Sequence, residues 1–216
     1  MSHFCRFARC ELVIQCGMVH PLLPNRLLSL KEYFAFEENA PWKHEFVSGH
    51  VYVMAAVTAR HALIVGNIVQ RLRGAAAGGP CRVFSDSMML QAAADVVYYP
   101  DAMVVCNDLD LSVSVVRDPC FVVEVTSPST QRYDKTEKRD AYLRIPSLQA
   151  YLVVEQAWRR VDLHWRNPTG VWESAIVREG AVSIPCPETR LTLDEIYEGL
   201  PALTVREMEA IGYAVS

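Results

Sequence analysis

Cys120-Phe121-Val122-Val123-Glu124-Val125-Thr126 is the stretch on which the reading of this chain turns. Its nearly continuous apolar character predicts a short strand covered on both faces, as in the interior of a sheet. One charge interrupts it. An ionised Glu124 in this company is costly unless a cation, a hydrogen-bond network or water compensates it. Side chains alternate along a strand, so Val122, Glu124 and Thr126 share one face and Phe121, Val123 and Val125 the other.

Upstream, Val96 to Val105 is rich in β-branched and aromatic residues and predicts another strand, with Pro100 suggesting an edge position or a bulge. Asp101 follows that proline. If the two strands are neighbours, both carboxylates converge on one point. Like charges that close raise one pKa strongly unless a metal sits between them, and the hard divalent ion Mg²⁺ suits such a pair. Downstream, Ser127-Pro128-Ser129-Thr130 forms a turn, and a helix starting near Tyr133 or Asp134 places Asp134, Lys138 and Tyr142 on one face. The chain has four lysines against seventeen arginines, and two of the four, Lys135 and Lys138, fall on this turn. The Lys138 ammonium can stabilise charge developing on a phosphate or position an attacking water.

Farther out, Ser29-Leu30-Lys31-Glu32 is a capping-box pattern that opens a helix to about Glu38. Phe46 to Val53 reads as a hairpin about Ser48-Gly49, with His44 and Glu45 at its mouth. Thr58 to Gly74 is an amphipathic helix whose apolar face is drawn through Ala62, Val65, Val69 and Leu72. Cys81 to Leu90 predicts one strand. Tyr151–Val154, Arg160–His164 and Val171–Val177 predict three more, the last two joined by the turn Asn167-Pro168-Thr169-Gly170, and a short helix and a tail follow Leu193. Together these make an α/β or α+β pattern.

Composition narrows the class. With 51% hydrophobic and 21% charged residues, 216 residues can bury a sizeable core. The net charge of −4 supplies no global positive field, so any contact with nucleic acid must be local or metal-mediated. No run of ~18 apolar residues suggests a membrane span. Leu12-Val13-Ile14, cut by Gln15, is too short for a secretory core, and the first residues read as an extension with Met18 an alternative start. The seven cysteines show no C-x-x-C pair or zinc-ribbon spacing, and they read as reduced thiols of a cytoplasmic protein. Cys5, Cys10 and Cys16 are the nearest thing to a cluster. No Walker loop, dinucleotide-binding glycine pattern, H-E-x-x-H helix or G-x-S-x-G elbow is present.

In order and spacing, Glu32-Tyr33, His44-Glu45-Phe46-Val47-Ser48-Gly49, Arg60-His61, Pro100-Asp101, Val123 to Thr130 and Tyr133-Asp134 through Lys138 to Tyr142 resemble a known family. It is the Uma-type putative restriction endonuclease family, a branch of the PD-(D/E)XK nuclease superfamily. The resemblance covers about residues 28 to 200. It implies an α/β, restriction-endonuclease-like fold, a mixed β-sheet flanked by helices in a single domain over 28–200, with an N-terminal extension at 1–27 and a C-terminal tail at 201–216. Carried over by position, Asp101 matches the first acidic residue of the motif, Glu124 the second, and Glu45 an additional acid from the early segment. The superfamily lysine stands two positions after the second acid, where this chain has Thr126. Lys138 on the following helix matches it instead.

The implied activity is a divalent-metal-dependent endonuclease hydrolysing phosphodiester bonds in DNA, with Mg²⁺ or Mn²⁺ held by Glu45, Asp101 and Glu124. Asp101, Glu124 and Lys138 are the implied catalytic residues. The expected partner is DNA and not a membrane, the expected location is the cytoplasm, and a homodimer would present two sites to two strands.

Each residue also has a plainer reading. Asp101 can be a strand-end residue, Glu124 half of a buried pair with an arginine, and Lys138 a solvated residue beside Asp134. Glu45 and His44 can face solvent, His61 can make a structural polar contact or bond into the site, and Tyr142 can pack on the sheet. Arg60, Arg71 and Arg73, with Arg132, Lys135, Arg139 and Arg144, are candidate phosphate contacts, offset by Asp134, Glu137 and Asp140. The competing function is a catalytically inactive nuclease-fold protein whose carboxylates are tied up in ion pairs.

Overall fold

The computed structural model describes residues 26–85, 87–126 and 134–210, together with the backbone of 14–15 and 18–19. Most of the expected extension, and residues 211–216 of the expected tail, lie outside the described residues. The chain gathers into two compact units, Met1–Met54 and Ala55–Ser216.

The first unit holds a two-residue antiparallel ladder, β1 (Ile14–Gln15) with β2 (Met18–Val19), then helix α1 (Leu30–Glu37) and the hairpin β3 (His44–Val47) and β4 (His50–Val53). The capping box is present. Ser29 Oγ accepts the Glu32 amide at 3.3 Å, and the Glu32 carboxylate accepts the Ser29 amide at 2.8 Å. Hydrogen bonds from Arg26 first, and from Ser29, bring the Glu32 carboxyl down to about 2. The turn between β3 and β4 has Ser48 at φ 48° and Gly49 at φ 90°, the two positive values that a two-residue hairpin loop of this hand requires. Tyr33 stacks on Phe46 at 4.8 Å between ring centres and donates its hydroxyl to His44 O at 2.7 Å.

The second unit begins with α2 (Ala59–Ala76) and continues through β5 (Arg82–Ser85), β6 (Met89–Ala93), β7 (Val96–Tyr98), β8 (Ala102–Val105), β9 (Val115–Val116) and β10 (Phe121–Thr126). A π-helical turn, Asp134–Lys138, runs into α3 (Arg139–Tyr142). Then come β11 (Ala150–Glu155), β12 (Val161–Arg166), β13 (Trp172–Val177), β14 (Ala181–Pro185), β15 (Glu188–Thr192), α4 (Leu193–Ile196) and α5 (Val205–Ala210). The main sheet has the order β13-β12-β11-β10-β8-β5, parallel between β10 and β11 and antiparallel elsewhere. As its composition predicts, β10 is interior, and all six of its residues are buried. β6 pairs antiparallel with β7 and parallel with β9, and β14 with β15 makes a separate hairpin.

Two of the predicted strands are each divided between sheets. The run 81–90 becomes β5 and β6, and 96–105 becomes β7 and β8. At the second break Pro100 has no amide to contribute to a ladder, so it marks a crossing between sheets rather than an edge or a bulge. The β14–β15 hairpin has no counterpart in the sequence reading. The buried stripe of α2 runs through His61, Ile64, Ile68 and Leu72, one position round from the predicted face, with Ala62 exposed. Ile64 beside Val65, and Ile68 beside Val69, make the two stripes equally apolar in sequence. On the buried stripe His61 meets Asp101, and Ile64, Ile68 and Leu72 enter the core. Ile64, Ile68 and Leu72 pack with Val123, Val125, Leu152 and Val154 in the core, each side chain contributing about 1.5–3 kcal/mol. Four cysteines read as thiols are joined as Cys81–Cys106 and Cys120–Cys186. Among the described residues no helix is long and apolar enough to cross a membrane.

Candidate active site

β8 and β10 are antiparallel neighbours, with Ala102 opposite Val123 and Met103 opposite Val122. One more step of that register sets Asp101 against Glu124, the juxtaposition on which the metal-site expectation depended. The step after it would offer Pro100 to Val125, but the ladder ends first. Asp101 Oδ2 accepts the Val125 amide at 2.6 Å, so the side chain takes the place of a ladder carbonyl. His61 Nε2, on the first turn of α2, lies 3.3 Å from the same oxygen. Thr58 caps that turn, its Oγ1 accepting the His61 amide at 3.1 Å. Among the described residues, Asp101 Oδ1 takes no partner, which leaves a pinned carboxylate with one oxygen for a ligand.

Glu124 is 3% exposed. Its Oε1 accepts the Tyr142 hydroxyl at 2.7 Å and the Lys138 ammonium at 3.3 Å. Lys138 is itself buried, and its Nζ stands 5.3 Å from the centre of the Tyr98 ring. The rings of Tyr98, Tyr142 and Tyr151 meet edge to face at 5.4 and 5.2 Å, forming an apolar wall behind the pair. Lys138 closes the π-helical turn and Tyr142 closes α3 one turn later, so the four-residue spacing read from sequence delivers both to one carboxylate. The side chain of Asp134 lies outside the described residues. The partner expected for a structural Glu124 was an arginine, and the structure supplies Lys138 instead, so Lys138 is not the solvated residue of the plainer reading.

A further acid stands at this end of the sheet. Glu155 closes β11 opposite Thr126, is 1% exposed, and accepts the Thr126 hydroxyl at 2.9 Å. Alternation places Glu124, Thr126, Val153 and Glu155 on one face of the β10–β11 pair. Sequence reasoning ended its strand at Val154 and passed over this residue. The available signal was the one that drew attention to Glu124: an acid continuing a run of Tyr-Leu-Val-Val.

The structure thus brings Asp101, Glu124 and Lys138 to one sheet end, with His61 and Tyr142. Glu45 belongs to the first unit, on β3 opposite Tyr52. Neither Glu45 nor His44 faces solvent, since both are buried, and the His44 amide and Nδ1 each lie 2.9 Å from the Glu37 carboxylate. Two proposed phosphate contacts have partners within the chain, Arg71 at the surface and Arg60 partly buried. Arg60 donates to Gln156 O and Pro201 O, and Arg71 lies 3.6 Å from Glu195 and 3.4 Å from Glu198.

Carboxylate oxygens on adjoining strands are donors of the hard kind that Mg²⁺ and Mn²⁺ prefer. Among the described residues the set of three or more metal-ligating side chains with donor atoms within 4.8 Å of one another is made of cysteines, so the second unit offers Asp101 and Glu124 as a pair. A pair fits Mg²⁺, which is usually held by one or two carboxylates with waters and substrate phosphate oxygens completing its shell.

The profile of the Uma2 family, described as "Putative restriction endonuclease", matches residues 30–195. This chain belongs to that family. Two uncharacterized proteins of Synechocystis sp. are similar along most of their lengths. One, slr1290, is 34% identical over 154 residues, covering 70% of this chain and 81% of the relative. The other, sll1609, is 32% identical over 151 residues, covering 68% and 85%. Among solved structures, one described as "a putative nuclease belonging to DUF820 from Anabaena variabilis" aligns at a TM-score of 0.63 over 78% of this chain and 97% of that one, with 15% identity. The two share a fold. The α/β architecture with mixed sheets flanked by helices, expected from the resemblance, is therefore the architecture of this Uma2 member.

Proposed function

We propose that this Uma2 member is a divalent-metal-dependent endonuclease that hydrolyses phosphodiester bonds in DNA. The observation that carries the reading is Glu124, buried in an interior strand beside a buried ammonium and, one step past the last β8–β10 pair, set against a pinned aspartate. Mg²⁺ or Mn²⁺ held by Asp101 and Glu124 would polarise the phosphodiester and lower the pKa of water. The chain's own groups do the rest. The Val125 amide and His61 hold Asp101 in place, and the Tyr142 hydroxyl holds Glu124, so neither carboxylate reorganises when charge develops. Lys138 orients the attacking water or offsets the added negative charge of the transition state, and the tyrosine wall excludes solvent that would weaken it. Glu45, in the first unit, is the third acidic candidate and is tested by its own substitution to Gln. With a net charge of −4, DNA is gripped locally, and a homodimer in the cytoplasm would serve two strands.

The test is cleavage of plasmid DNA by the purified chain with Mg²⁺ or Mn²⁺. The expected result is nicking or linearisation, reduced about 100-fold or more in Asp101→Ala and in Glu124→Ala. Undiminished cleavage by both variants would remove the assignment. The Lys138–Glu124 contact at 3.3 Å favours a second reading, an inactive nuclease-fold binding protein with paired carboxylates. Thermal unfolding separates the two. A site that takes the ion gains stability as Mg²⁺ or Mn²⁺ is added, by about 2.7 kcal/mol at a hundredfold excess over Kd, whereas an ion-paired one does not respond.

A further inference from the structure

The main sheet carries a second set of ligand-type side chains that the nuclease reading leaves unused. Cys81 precedes β5, Cys106 follows β8 and Cys120 precedes β10, and these strands are adjacent in the sheet. The register that pairs Arg82 with Val105, and Val104 with Phe121, gathers the three cysteines at the sheet end opposite Asp101 and Glu124. Cys186, between β14 and β15, supplies a fourth sulfur. Cys81 is joined to Cys106 and Cys120 to Cys186, and the two disulfides abut: Cys106 Sγ lies 3.1 Å from Cys186 Sγ and 3.5 Å from Cys120 Sγ. The sulfurs of Cys81, Cys106 and Cys186 all fall within 4.8 Å of one another. Cys120 and Cys186 are buried, the other two half-buried.

Covalent pairing accounts for each disulfide but not for the meeting of two. Four thiolates around a tetrahedral Zn²⁺, with Zn–S of ~2.3 Å, stand ~3.8 Å apart, close to the separations between the pairs. An all-sulfur set is soft and selects Zn²⁺ over the hard ions that suit the carboxylates. Arg82 places a guanidinium beside the cluster, donating to Cys81 O and Gly79 O at 3.1 Å each, where it offsets part of the negative charge of a tetrathiolate centre.

We propose that Cys81, Cys106, Cys120 and Cys186 form a tetrahedral thiolate site for Zn²⁺ in the reduced chain, the two disulfides being the oxidised alternative of the same site. Each disulfide takes two electrons and two protons from a dithiol reductant, which leaves as its own disulfide. Binding of the ion then releases the four thiol protons to solvent. The ion ties β5, β8 and β10 to the β14–β15 hairpin. Cys120 stands four residues before Glu124 along β10, about 13 Å at ~3.3 Å per residue, and the ion takes no part in the cleavage chemistry.

The full chain, reduced, metal-free and kept anaerobic, is titrated with Co²⁺ and then Zn²⁺. The intense visible bands of a tetrahedral cobalt thiolate should saturate at one equivalent and vanish on adding one equivalent of Zn²⁺. The variant combining Cys5→Ser, Cys10→Ser and Cys16→Ser should behave identically, and Cys106→Ser should lose the four-sulfur spectrum. If Cys106→Ser does not fold, alkylation of the unsubstituted chain decides: Zn²⁺ should shield Cys81, Cys106, Cys120 and Cys186, and leave Cys5, Cys10 and Cys16 reactive. No tetrahedral spectrum, a spectrum lost in the triple variant, or four cysteines alkylated equally with and without Zn²⁺ would each overturn the site. None of these readouts involves DNA cleavage, so the site and the nuclease reading fail separately.

Discussion

The two ends of β8 and β10 are built from opposite chemistries. At one end, Asp101 and Glu124 offer oxygen donors, each already met by a neighbour: the Val125 amide and His61 for the first, Lys138 and Tyr142 for the second. At the other, four cysteines meet sulfur against sulfur, with Cys120 Sγ also 4.0 Å from Cys186 O. A charged group inside a sheet must be compensated before any ligand arrives, so the acidic end comes with a supporting shell. Thiols are nearly apolar until deprotonated and can be buried without one. One sheet thereby carries oxygen donors at one end and sulfur donors at the other.

The contrast breaks most visibly if the ends are coupled. Asp101→Asn keeps an acceptor for the Val125 amide but removes the charge, so cleavage should fall about 100-fold while the cobalt stoichiometry at the cysteine end is unchanged. Loss of both would mean that the ends are one system. Next in size, Lys138→Met strands the buried Glu124 without its cation and should destabilise the chain by about 3–5 kcal/mol in urea unfolding, most of which returns when Glu124→Gln is added. An unchanged midpoint for the single variant would show that the ammonium is not what compensates Glu124.

Tyr142→Phe deletes one hydrogen bond to a buried carboxylate, for an expected loss of about 1.5–3 kcal/mol. The smallest effect belongs to neither end. Hydrogen bonds from the Thr192 amide first, and its hydroxyl, hold the Glu195 carboxyl below its ordinary value at the start of α4. A depressed carboxyl stabilises the fold at pH above its unfolded value of 4.5, and the contribution is lost as pH falls through the lower folded value. Thr192→Ala should cost ~1 kcal/mol at neutral pH and flatten that acid limb, leaving both ends of the sheet unaffected.

Much of the acidic end can be read without coordinates. Valines around Glu124 announce an interior strand, Pro100 marks an irregular position beside Asp101, and the spacing of Lys138 and Tyr142 puts them on one face. These inferences work because burial cost and helical period are local properties. Others could not be made. The predicted strands at 81–90 and 96–105 give no sign that their halves join different sheets, because each half satisfies the same local pattern. His61 is on the buried side of α2 because an aspartate forty residues later accepts from it. Glu155 carried a legible signal, an acid continuing an apolar run, but that it stands opposite Thr126 follows only from the parallel pairing of β11 with β10.

From residues alone came the class of fold, the interior strand, and the three side chains on which the nuclease proposal stands: Glu124 by a charge among valines, Asp101 by its place after Pro100, and Lys138 by helical spacing and the family resemblance. The fold itself decided who meets whom. The register of β8 on β10, carried one step past its last pair, sets Asp101 against Glu124, and the registers of β5, β8 and β10 followed to the other end gather Cys81, Cys106 and Cys120, to which the β14–β15 hairpin adds Cys186. Neither meeting is written in any short span of sequence, because a strand's local pattern determines its faces but not its neighbour.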